Sequence, residues 1–185
     1  LIAHRDKTVR EYGLKLIIAE NEQAEEQGIN PFDTGSALYS QAQLTDPLKR
    51  ALTAHGFDAA FGGGRRDEEK ARAKERIFSL RDEFGQWDPR RQRPELWDLY
   101  NGKHAPGEHV RVFPLSNWTE GDVWRYIERE GIELPSIYYA HDRAVFKRNS
   151  MWLTAGDWGG PKGDETVEVR RVRYRTVGDM SCTGA

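Results

Sequence analysis

Short apolar runs alternate with amphipathic stretches through the first 130 residues, and that alternation sets the expected elements. Residues 1–12 carry helical spacing and meet a stop at Gly13. Residues 14–19 (LKLIIA) are rich in branched side chains and predict a strand of a buried sheet. After the polar connector NEQAEEQGINPFDTGS, the stretch LTDPLKRALTAHG predicts a helix. Thr45 is its expected N-cap, Pro47 lies in its first turn and Gly56 is its stop. A second strand is expected over 57–61 and a third over 111–115 (RVFPL). The stretch NWTEGDVWRYIEREG predicts a helix capped by Thr119. Asp122 stands three residues on, as in a capping box, Gly131 stops the helix, and Val123, Tyr126 and Ile127 share one face.

Strands alternating with helices argue an α/β fold, a mainly parallel sheet with flanking helices. Such sheets bind ligands at the carboxyl ends of their strands. Two of those ends carry suggestive sequence: GGGRR after residue 61 and PLSNWT after residue 113. Residues 87–109 break the alternation, with only a short helical hint at 95–100, and long loops of this kind are often functional. After residue 135 the chain reads as irregular, with a turn-rich TAGDWGGPKGDE and a strand-like TVEVRRVRYRTVG. The expected division is an α/β core over 1–134, which the resemblance set out below makes nucleotide-binding, and an irregular C-terminal extension over 135–185. The chain opens inside a helical pattern and stops at CTGA without a closing element, so it reads as truncated at both ends.

Composition narrows the partners. The 185 residues are 37% apolar and 31% charged with a net charge of −2, so bulk electrostatics point to neither nucleic acid nor a membrane surface. No apolar run reaches the ~18 residues of a membrane span. The single cysteine, Cys182, excludes an intrachain disulfide and fits a cytoplasmic setting. Five histidines without ligand spacing, and no second cysteine, argue against a metal centre.

The stretch FGGGRRDEEKARAKER leaves two readings open. Gly62, Gly63 and Gly64 permit close backbone approach or positive φ, and a strand-to-helix turn presents N–H groups to an anion. A helix dipole contributes only ~0.3–1 kcal/mol at an exposed site, so arginines must supply the rest. Arg65, Arg66 and Arg72 are placed to do so, by bidentate guanidinium contacts. The other reading is a solvated helix, since Glu68 with Arg72, and Arg72 with Arg76, stand at i,i+4 spacing. The stretch lacks Walker spacing. Arginines in VRRVRYR allow a similar choice between a charge-protected edge strand and a second basic wall. Cys182 has no locally basic surroundings, and Trp118 and Trp124 suit a core. Trp87, Trp97 and Tyr100 suit either a nucleotide or a partner surface.

The segments INPF…GS, FDAAFGGGRRDEEKARAKERIFSLRDEFGQWDPRRQRPELW, RVFPLSNWTEGDVWRYI and VRYRT.G….TGA resemble the small, ATP-utilising subunit of bacterial sulfate adenylyltransferase. The likeness covers almost the whole chain. The wider superfamily includes phosphoadenylylsulfate reductases and other ATP pyrophosphatases. The resemblance implies an adenine-nucleotide α-hydrolase-like (Rossmann-like) fold. It also implies a nucleotidyltransferase reaction of sulfate assimilation, in which ATP and sulfate give adenylyl sulfate and pyrophosphate. A larger GTPase subunit is the implied partner and driver. The family's S-x-G-K-D-S pyrophosphate loop is absent from this sequence and is expected upstream of Leu1.

Sulfate is already ionised at neutral pH, so the implied reaction needs alignment and charge neutralisation rather than a general base. Arg65, Arg66 and Arg72 are the first candidates for phosphate or sulfate contacts, and Arg173 and Arg175 the second. Asp67 and Glu68 are candidates to orient those arginines or to meet Mg²⁺ carried on ATP. Thr183 and Gly184 are candidates for a late backbone loop over the nucleotide. Two alternatives stand beside this: a sulfonucleotide reductase of the same superfamily, and a non-catalytic module that only binds the partner subunit.

Overall fold

The computed structural model describes residues 1–68, 70–156, 160–175 and 184. Its elements in chain order are α1 (Ile2–Glu11), α2 (Glu22–Glu26), α3 (Ser36–Tyr39), α4 (Asp46–His55), β1 (Ala59–Phe61), β2 (Phe78–Arg81), β3 (His109–Val112), α5 (Glu120–Glu130), β4 (His141–Arg148), β5 (Met151–Thr154) and β6 (Glu168–Val172). The fold is mixed α/β. It divides into two compact units, one of Leu1–Pro47 with Leu134–Ala185, the other of Leu48–Glu133.

The second unit is built on a three-stranded sheet of order β1-β3-β2. β1 runs parallel to β3, whereas β2 is antiparallel to it, so the sheet is mixed rather than mainly parallel among the described residues. Strand alternation puts Phe78, Leu80, Val110 and Val112 on one face, where Leu80, Val110 and Val112 form the buried core with Phe78 against it. The third strand starts at His109 rather than 111 and ends at Val112. Pro114, with no N–H to give, prevents its extension to 115.

β2 is an edge strand, and side chains of the 87–109 stretch complete it. Glu95 accepts the backbone N–H groups of Ile77 and Phe78 at 3.0 and 2.7 Å. The Gln92 amide brackets Leu80, accepting from its N–H at 2.9 Å and donating to its carbonyl at 3.1 Å. An edge paired in this way offers no open ladder. The stretch itself holds only two 3-10 turns, Pro89–Arg91 and Leu96–Asp98, the latter with Trp97 and Asp98 at φ 55° and 56°.

α5 forms as its sequence predicts. Thr119 and Asp122 make a reciprocal capping box, and Gly131 closes the helix at φ 61°. Gly56 likewise stops α4, where the Phe57 N–H reaches the Leu52 carbonyl at 3.0 Å. Thr45, in contrast, is not an N-cap. Helical backbone already runs from Ser36 through a π segment, Ser40–Thr45, into α4. The wide turn precedes Pro47, which lacks the N–H that regular α pairing would use.

In the first unit, residues 14–19 form neither helix nor strand, and Leu14, Leu16 and Ile18 are exposed. Branched side chains favour extended backbone, but a strand also needs a hydrogen-bonded neighbour, and none of the described residues supplies one. The segment expected to be irregular carries a three-stranded antiparallel sheet of order β5-β4-β6. Val145, Phe146, Leu153 and Tyr174 are buried in this unit. Its charged side chains hide the alternation: Arg148 grips Glu165 through two bonds of 2.8 and 2.6 Å while its guanidinium covers the rings of Phe146 and Phe32.

Candidate functional site

The carboxyl ends of the parallel strands β1 and β3 lie side by side, and the loops leaving them are stitched together. The Gly62 N–H donates to the Val112 carbonyl at 2.9 Å. Arg66 then meets Ser116 twice, its backbone N–H donating to the carbonyl at 3.0 Å and its Nε to the hydroxyl at 3.2 Å. The Asp67 carboxylate accepts the N–H of Glu120 at the start of α5, at 3.4 Å. The two stretches singled out in the sequence, GGGRR and PLSNWT, are therefore one local structure.

The glycines serve close approach rather than unusual backbone. None of Gly62, Gly63 and Gly64 has positive φ. A Cβ on Gly62 would come within 3.0 Å of the Phe113 ring, and one on Gly64 within 2.2 Å of Arg72 Nη1, whereas Gly63 faces open space. Gly64 is the floor on which the Arg72 guanidinium rests, with Phe113 beside it at 5.9 Å from the ring centroid.

After the glycines the expected α-helix is replaced by a turn at 66–68 and a 3-10 helix, Lys70–Lys74. Tertiary ion pairs override the helical charge pattern. Glu75 pairs with Arg72 at 3.4 Å and with Arg81 at 2.7 Å. Arg65 pairs with Asp67 at 3.5 Å and is largely buried. Glu68 accepts the backbone N–H of Arg65 at 3.4 Å. Asp67 and Glu68 thus brace the loop, and a long helix dipole is no part of the site.

A cleft of about 310 Å³ opens here, lined by Arg66, Arg76, Glu95, Tyr100 and Asn117 among others. Arg76 makes no hydrogen bond or ion pair with the described residues. Glu95 stands 4.0 Å from Arg66 Nη2. Tyr100 stacks on Phe78 with ring centroids 5.3 Å apart. Sequence reading missed Glu75, Glu95 and Ser116. Glu95 and Ser116 meet partners far along the chain or on backbone, so spacing gives no sign of them, whereas Glu75 stands only three residues from Arg72 and six from Arg81.

A wider groove of about 430 Å³ follows α5, between Trp118, Tyr126 and the charged Asp122, Arg125 and Arg129. Its arginines are engaged, Arg125 with Asp122 at 3.6 Å and Arg129 with Glu130 at 2.8 Å.

The profile of the phosphoadenosine phosphosulfate reductase domain family matches residues 1–185. The chain belongs to that family. Within the family it is similar to proteins named sulfate adenylyltransferase subunit 2. The protein of Streptomyces lavendulae is 65% identical over 188 residues, covering all of this chain and 57% of the relative. That of Mycobacterium sp. (strain JLS) is 56% identical over 184 residues, and that of Myxococcus xanthus (strain DK1622) 55% over 186; this chain covers 59% and 61% of them. The chain spans a little under three fifths of the length of the first of these relatives.

The remaining sequence candidates lie in the other compact unit. Arg173 and Arg175 follow β6 at exposed positions, past the end of the strand at Val172. β6 is an edge strand, and its Arg170 pairs with Glu168 and covers Trp152 at 4.2 Å. Gly184 lies against Met151, while Thr183 and Cys182 fall outside the described residues. Among the described residues no three His, Cys, Asp or Glu side chains converge as a metal site, and no helix is long and apolar enough to cross a membrane.

Proposed function

We propose that this chain is the nucleotide-handling part of a sulfate adenylyltransferase small subunit. The observation that carries this reading is the stitched pair of strand-end loops, Gly62 to Arg66 against Ser116, beside a cleft lined by Arg66 and by Arg76, which has no partner among the described residues. The names of relatives 53–65% identical support it. Residues 1–134 act as the nucleotide-binding part and 135–185 as its extension.

In the reaction a sulfate oxygen attacks the α-phosphorus of ATP. The bond from that phosphorus to the bridging oxygen breaks, and pyrophosphate leaves with the electron pair. Both reactants are anions, so the contribution of the protein is to hold them together and neutralise them. Arg66 and Arg76 face the polyphosphate, and Arg72 is delivered to the same loop by Gly64. Arg65, Asp67 and Glu68 hold the loop in shape. Mg²⁺ arrives on ATP. Arg173 and Arg175 are further candidates for phosphate or sulfate contacts, and Thr183 and Gly184 for a backbone loop over the nucleotide. The words "subunit 2" in the relatives' names support a partner subunit. A GTPase partner rests on the resemblance set out above, and a cytoplasmic setting on the single cysteine.

The family profile is named for a reductase, which favours a second reading, a sulfonucleotide reductase acting through Cys182. One assay separates them: the complete protein with its partner subunit should release pyrophosphate from ATP only when sulfate is present. Thioredoxin-dependent sulfite release instead would replace the first reading with the second. Arg66→Ala should lower adenylyl sulfate formation by about 10²-fold or more, as removal of a positioned charge donor does. A near-normal rate would take Arg66 out of the site.

A further inference from the structure

The face of the β2–β3 sheet opposite the core is polar. Ser79 stands across from Arg111, and Arg81 across from His109, so all four side chains lie on that face. A sheet face covered by other structure is normally apolar. This one is covered, since Ser79 is fully buried and His109 nearly so. Ser79 Oγ, Arg81 Nε and Arg111 Nε, all three donors, are each shut off from solvent without a hydrogen-bond partner among the described residues, as is His109 Nε2. A buried donor left unsatisfied costs about 1–3 kcal/mol, so three on one face call for a ligand.

The chemistry of the donors defines that ligand. Guanidinium groups only donate, so the missing group accepts. Arg72, Arg81 and Arg111 face the single carboxylate of Glu75, which leaves two positive charges uncompensated among the described residues. Burial holds both Arg81 and Arg111 below the ordinary arginine range, and each feels further repulsion from neighbouring arginines. Burial and the same two arginines push His109 down too, which disfavours a further positive charge on that face.

We infer that Ser79, Arg81 and Arg111, with Arg72 at the rim, form a seat for a tetrahedral dianion, and that the ion is sulfate. The identity of the ion rests on the adenylyltransferase reading; the seat does not. Arg72 joins the seat to the glycine loop, because its guanidinium lies on Gly64 at one end and is tied through Glu75 to Arg81 at the other. The seat is thus linked to the phosphate-binding loop yet uses donors that the loop does not.

The test is equilibrium dialysis of the complete protein with radiolabelled sulfate, beside a separate titration with ATP. Arg111→Gln should weaken sulfate about tenfold or more and leave ATP within about twofold, because one forked donor is lost from one ligand only. Arg111→Lys should recover part of the loss. Ser79→Ala keeps every charge and serves if Arg111→Gln does not fold; it should weaken sulfate by severalfold. Unchanged sulfate affinity in these variants, or a loss that falls on ATP, overturns the seat. So does inorganic phosphate that binds and is not displaced by sulfate. Saturable sulfate binding without adenylyl sulfate formation would keep the seat and remove the adenylyltransferase reading. Normal turnover with an unchanged KM for sulfate in Arg111→Gln would do the reverse.

Discussion

Ser116 holds Arg66 at two points, accepting its backbone N–H at 3.0 Å and its Nε at 3.2 Å from fifty residues further along the chain. Ser116 is itself buried, so the contact is shielded from competing water. Two strand-end loops become one rigid surface, and an arginine on a rigid surface loses less entropy when it meets an anion.

The glycine loop should separate stability from function. In Gly64→Ala the new methyl clashes with the tip of Arg72 and only touches Phe113 at 3.4 Å, so Arg72 swings aside and gives up its pair with Glu75. Unfolding in urea should change by about 1 kcal/mol or less, as for a partly exposed ion pair, while ATP or sulfate affinity falls. Gly62→Ala places its methyl on the buried Phe113 ring, which cannot swing out, and should cost about 1–3 kcal/mol. Equal effects from the two substitutions would remove the assigned difference.

Glu95 supports both the sheet edge and the cleft. Its nearly buried carboxylate takes two backbone N–H groups of the edge strand and faces Arg66. Glu95→Ala strands those donors and should lower unfolding stability by about 1–3 kcal/mol. Glu95→Gln keeps one accepting oxygen and should fall between. Urea midpoints of the three proteins check the order.

The first unit should show an acid-sensitive pair. Arg148 beside Glu165 holds that carboxyl at about 2, below its ordinary 4.5. The unfolded chain therefore takes up this proton first as pH falls. The stability from the pair is complete above pH 4.5 and is lost as pH drops toward 2. Thermal midpoints followed across that window should fall more steeply in the parent than in Glu165→Gln. Parallel curves would mean that the pair contributes nothing.

Much of the local structure was written in short-range chemistry. Thr119, Asp122 and Gly131 specify the two ends of α5, because capping involves only residues within one turn. Gly56 and the apolar run after it place α4's end and β1 for the same reason. The two strand-end loops were also legible, since glycine and arginine at a strand's carboxyl end is a local signal.

Only the tertiary structure decided the rest. The charged run after Gly64 has helical i,i+4 spacing, yet Glu75 is claimed by Arg81 across the turn and no α-helix forms. Residues 14–19 have strand composition, but pairing depends on a neighbour that composition cannot supply. The sequence by itself determined where helices are capped, where glycine allows close approach and which arginines flank it. The fold determined which of those arginines are already neutralised, which have no partner among the described residues, and which backbone edge Glu95 must satisfy. Those outcomes depend on distances between residues far apart in the chain, and no spacing rule reaches that far.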